Sequence, residues 1–200
     1  HRAGLTATRR FGADRPLVDT IFLTHLHADH VLDLINVLQG SWPSTPIDIY
    51  GPASAGPPFT TWDDPVHPLR FPDDPAPGIR RMLGYLHRAF ALNINSRLVA
   101  EHRGDYLDHL HVHEIGLAGE MPDCEPGDIG VAVDLDRAGS DFTVPEIEPF
   151  VVRPRDAHGV TVTATLVQHA PAFPALACRF DTPSGSVGFS GDTGPSDNVV

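Results

Sequence analysis

Two hundred residues with 41% apolar content suffice for one domain with its own core. The formal charge is −12 and all 14 basic residues are arginine, so the chain lacks the overall positive field of a general nucleic-acid binder. No run approaches the roughly 20 apolar residues of a membrane-spanning helix. Cys124 and Cys178 form no CxxC pair and read as two reduced, partly buried thiols.

Val18–Thr24 is a short β-rich run, consistent with a buried strand. It leads into Thr24-His-Leu-His-Ala-Asp-His30, read as a loop at a strand end. Apolar residues at 31, 34, 35 and 38 then predict a helix packed on a sheet, ended by Gly40, Trp42-Pro43 and Pro46. Pro46–Tyr50 reads as a second strand. Strand, loop, helix and strand together give a layered α/β arrangement.

The texture is irregular from about 58 to 145, where prolines punctuate weakly patterned pieces. One helix is expected over roughly Gly78 to Ala100, and the whole stretch is read as an insertion forming a cap beside a smaller scaffold. Regularity returns where Val160, Val162, Ala164 and Leu166 alternate with threonines, a half-buried strand that delivers His169. Ala175–Phe180 pairs plausibly with it, Asp181–Gly185 turns, and Ser186–Ser190 delivers Gly191-Asp192-Thr193.

Twelve histidines are many for this length, and four chemistry-bearing residues crowd into His25, His27, Asp29 and His30. Neutral imidazoles and carboxylates at strand ends suit Zn²⁺ and similar borderline ions. Taken alone, His169 reads as an ordinary strand-end histidine and Asp192 as a turn residue. In order behind HxHxDH, both read as ligands.

Thr24-His-Leu-His-Ala-Asp-His30 after an apolar strand resembles the signature of the metallo-β-lactamase superfamily. The resemblance covers residues 18 to 52 and 159 to 197. It implies an αββα sandwich, here truncated at both ends, with two Zn²⁺ sites (Mn²⁺ or Fe²⁺ as alternatives) at one edge. By position, His25, His27 and His169 would bind the first metal, Asp29 and His30 the second, and Asp192 both. Asp29 and Asp192 would also be the catalytic carboxylates, around a metal-bridging hydroxide. The family's first strands are expected before His1 and its final histidine ligand after residue 200.

The context Val167-Gln-His-Ala-Pro-Ala-Phe-Pro and the later Arg179-Phe-Asp181 is similar to the ribonuclease Z and arylsulfatase-like branch, as is Ala89–Arg97. That implies a hydrolase acting on a small anionic phosphate or sulfate ester. Ribonuclease Z-like tRNA 3′ processing and a non-catalytic metal-binding module are the alternatives. No membrane partner is expected, a homodimer is an open option, and the cytoplasm is the expected compartment. His109, His111 and His113 would share one strand face, either as a polar surface or as an accessory metal site. Arg80, Arg81, His87, Arg88, Arg97 and Arg103 give a locally basic helix, read either as a solvated face or as an anion contact.

Overall fold

The apolar runs and Pro/Gly breaks become eight strands and three α-helices in a computed structural model that describes residues 18–42, 44–54, 70–121, 123–135 and 142–199. The first sheet orders β1 (Thr20–Phe22), β2 (Ile47–Pro52), β3 (Leu110–Leu117) and β4 (Ile129–Val131), all parallel. The second is an antiparallel meander of β5 (Phe150–Arg153), β6 (Thr161–Leu166), β7 (Leu176–Thr182) and β8 (Gly185–Phe189). Helix α1 (Ala28–Ser41) follows β1, while α2 (Ile79–Ala89) and α3 (Ala91–Ala100) lie between β2 and β3 in the chain.

Alternation along the strands decides which layer each face meets. On β2, Ile47 and Ile49 pack under the helices against Leu34, Leu38 and Leu83. Tyr50 points the other way and joins Leu166, Leu176 and Cys178 in the core between the sheets. The layers are therefore helices, parallel sheet, antiparallel sheet. Of the described residues, no helix is long and apolar enough to cross a membrane. Both cysteines are free; Cys124 is exposed rather than partly buried, and burial pushes the Cys178 thiol up to about 11.

Several expectations are corrected. The segment 58–145, expected as a cap, supplies β3 and β4, and β3 is hydrogen-bonded inside the first sheet between β2 and β4. Its pattern is a strand's: Leu110 and Val112 face the helices, Ile115 and Leu117 the inter-sheet core. Polar residues at 111, 113 and 114 disguise that alternation. Residues 58–69, 122 and 136–141 of the expected cap lie outside the described residues. The expected single helix is two, broken at Phe90. His109 sits in a short 3₁₀ turn, so only His111 and His113 share the strand face, both beside Asp48 at 3.5 and 3.1 Å.

Nor is Arg80 available as an anion contact. It donates to Glu114 Oε2 at 3.0 Å, to Asp128 Oδ1 at 2.7 Å and to the Val112 carbonyl at 3.0 Å. The Glu114 carboxylate also accepts the Arg80 backbone N–H at 3.0 Å, so a side chain from β3 caps the start of α2. Gly78 permits this approach, because a Cβ there would collide with Glu114 Oε1 and lie 2.5 Å from the Ser54 nitrogen. Burial would raise Asp128, but hydrogen bonds from Arg80 and from the Glu125 and Glu114 N–H groups hold it below the usual range. Arg80→Ala strands two carboxylates, Asp128 with a fully buried side chain and Glu114 with one 9% exposed. Urea unfolding should show a loss of about 3 kcal/mol, with Arg80→Lys recovering only part of it; a change under about 0.5 kcal/mol would mean the clip is not structural.

Candidate metal centre

Thr24 is where the two sheets meet. The Leu23 N–H donates to Tyr50 of β2 at 2.9 Å, and the Thr24 carbonyl accepts from Leu176 of β7 at 2.8 Å. The Thr24 hydroxyl lies 3.2 Å from His25 Nδ1, which fixes the ring. The next residues turn into α1. His27 is its N-cap, so Asp29 and His30 stand in the first helical turn, not on the expected loop. An acidic residue there faces the positive end of the helix dipole.

The second sheet brings the other two groups. Gln168, just after β6, ties the His169 and Asp192 loops together: its carbonyl accepts from the Gly194 N–H at 2.7 Å and the Thr193 hydroxyl at 3.2 Å. Gly191, after β8, has φ +62°, and a Cβ there would sit 2.8 Å from the Thr24 side chain. Only glycine suits both demands, which is how Asp192 comes this close to His25.

His25, His27 and His169 form one group of ligand atoms within 4.8 Å of one another; His25, His30 and Asp192 form a second. His169 Nε2 is 3.2 Å from His27 Nδ1, and His30 Nε2 is 3.3 Å from Asp192 Oδ2 and 3.4 Å from Asp29 Oδ2. Two ligands at about 2.05 Å in a tetrahedron around Zn²⁺ are about 3.3 Å apart, so these separations suit a shared ion. A proton shared between His27 and His169 would account for that pair alone.

His25 is the sharper test. It is 1% exposed, and its Nε2 is buried without a hydrogen-bond partner. A cation among these donors satisfies that nitrogen and its neighbours together. Burial, then the neighbouring His30, His169 and His27, lower the His25 pKa to about 4 against the pull of Asp192. Burial, with His27 beside it, also lowers His169. Both rings are therefore neutral, with lone pairs ready for a metal.

All six expected residues meet at this one edge, although their grouping differs from the expectation in two respects. Asp192 reaches the His27/His169 group only through His25. Asp29 belongs to neither three-ligand group, is 73% exposed, and contacts His30. Thr24, Gln168 and Gly191 went unnoticed in the sequence, since each acts through backbone or close approach that no ligand spacing reveals. A cleft of about 280 Å³ beside His27, lined by Leu26, Met82 and Phe173 among others, was also missed. No model of a known protein family matches the chain, and no curated protein matches it either.

The depressed His25 pKa gives a prediction for the metal-free protein. The unfolded ring takes its proton near pH 6.5, the folded one only near 4. The contribution is whole above about pH 6.5 and is lost as pH falls towards 4, because the unfolded chain binds the extra proton. Urea unfolding should lose about 3 kcal/mol more over that range than His25→Gln loses. Parallel pH profiles for the two proteins would contradict this.

Proposed function

We propose that the chain is a metal-dependent hydrolase domain of metallo-β-lactamase type, acting on a phosphate or sulfate ester. The observation that carries the reading is the gathering of His27, His30, His169 and Asp192, from three segments of the chain, with buried His25, whose Nε2 has no hydrogen-bond partner. The helix, sheet, sheet layering with this cluster where the sheets meet is compatible with three of the four layers of that fold.

His25, His27 and His169 would hold one ion; His30 and Asp192, with Asp29 beside them, would hold a second. Such ions supply Lewis acidity, making water a nucleophile near neutral pH and offsetting charge on the ester oxygens. The chain's own contribution is placement. Asp192, tied down through Thr193 and Gly194 to Gln168, is kept from swinging away from His30. Asp29 faces solvent beside the cluster, where its carboxylate can accept a hydrogen bond from the attacking water and orient it. His25, buried and neutral, helps exclude bulk water from the inner side.

A tRNA substrate fits less well. Among the described residues the cleft beside His27 has no arginine in its lining, and Arg80, Arg81 and Arg103 are engaged by carboxylates.

The test is turnover of bis(p-nitrophenyl) phosphate and p-nitrophenyl sulfate by protein reconstituted with Zn²⁺ or Mn²⁺. Asp192→Ala should lower turnover at saturating metal by at least about 100-fold, since it removes the one carboxylate of the His25, His30 and Asp192 group and the negative charge that would offset an ion there. His30→Ala should cost less, and added metal should restore part of it by mass action. Near-parental turnover by Asp192→Ala would make Asp192 a turn residue. Tight metal binding without turnover of either ester would leave a metal-binding module.

A further inference from the structure

Beside His27 the cluster adjoins a feature the hydrolase reading does not use. The cleft beside His27 has no charged side chain among its described residues: prolines, Ala53, Ala76, Ala172, Leu26, Met82 and Phe173 wall it. A second cleft of about 450 Å³ runs between α1 and α2, lined by Val31, Ile35, Leu86 and others, with Asp33 the one charged residue among those described. Leu26 and Met82 line both, so the two clefts adjoin at these side chains. The outer mouth is marked by Leu32, 64% exposed, and Phe90, 42% exposed.

We propose that the substrate is an amphiphile: its ester lies at the His/Asp cluster, and an extended apolar chain runs from His27 past Leu26 and Met82 to Leu32 and Phe90. The location of the ester rests on the hydrolase reading; the groove is a separate observation. The inner cleft alone, at about 280 Å³, is small for an organic ligand, which usually occupies roughly 300 Å³ or more. The outer cleft provides the rest. Apolar surface held open to water on both sides of one groove is costly, and burying an alkyl chain between the two walls removes it. A polyanionic chain would find no guanidinium among the described residues of this lining.

The anchoring of α2 supports this use. Arg80 and the cap from Glu114 fix the first turn of the helix, which presents Met82, Leu86 and Phe90 along the groove. A wall held this way gives a chain a preformed surface rather than one that must be ordered on binding.

The experiment is calorimetric titration of the Zn²⁺-loaded protein with straight-chain alkylphosphonates, methyl to octyl, which present an anionic head that cannot be hydrolysed. The dissociation constant should fall about two- to four-fold per added methylene. Leu32→Asp and Phe90→Asp, at exposed positions, should remove the gain for the longer chains and leave ethylphosphonate binding unchanged. Ala172→Asp, in the inner cleft, should weaken every member longer than methyl. Affinity independent of chain length, or insensitive to all three substitutions, overturns the proposal. Turnover of bis(p-nitrophenyl) phosphate by the same preparation separates the two readings. Turnover without chain-length dependence sinks the amphiphile alone; chain-length dependence without turnover keeps the groove and sinks the hydrolase.

Discussion

A buried imidazole with one nitrogen unmatched has to be held in place by something, and here that is the backbone of Thr24. The carbonyl of this residue accepts from the second sheet, its neighbour Leu23 donates to the first, and its hydroxyl faces His25 Nδ1. The two sheets cannot separate at this edge without breaking these contacts, and His25 cannot turn without losing its anchor. Because Gly191 packs against the same Thr24 side chain, the position of Asp192 depends on the same residue. An unpaired polar atom buried this way costs on the order of 1–3 kcal/mol. A fold that maintains it at the meeting point of four other potential ligands is compatible with a centre whose last partner is an ion.

The two ends of α2 divide the labour around that centre. At its start, a half-buried guanidinium is shared by Glu114 and Asp128, an arrangement that fixes the helix to β3 and the residues before β4. Farther along, the same helix turns Met82 and Leu86 towards α1 and leaves the groove open. Charge is thus spent on holding the wall, while the wall's working surface is apolar. The Asp48, His111 and His113 group is on the inter-sheet face, at the end of β2 and β3 where those strands begin, whereas the metal-ligand groups follow the end of β1. Among the described residues its ligand atoms form no three-member group, so nothing here supports an accessory metal site.

The candidate site was legible in the sequence because its densest part is local. His25, His27, Asp29 and His30 sit within six residues, and a strand before them fixes their direction. His169 and Asp192 were legible only by their order behind the HxHxDH run, since each alone reads as an ordinary strand-end histidine or turn residue. The fold was harder. β3 carries histidines and a glutamate at positions where alternation would show polar or apolar residues more plainly, and Glu114 is buried only because Arg80 meets it from another element. No single-sequence pattern contains that pairing, so a central strand read as part of a cap. The break at Phe90 was equally hidden, since apolar spacing runs on through both helices. The two clefts are assembled from α1, α2 and two proline-rich loops, and their adjacency at Leu26 and Met82 exists only in three dimensions.

The account's central claim is that this edge holds ions through histidine nitrogens. Zinc K-edge X-ray absorption on the loaded protein reads the ligand set directly. The account predicts nitrogen and oxygen neighbours at about 2.0–2.2 Å with the multiple-scattering signature of at least two imidazoles, and loss of that signature at the first site when His25 is replaced by alanine. Zinc surrounded only by oxygen, or an unchanged spectrum in His25→Ala, would contradict it.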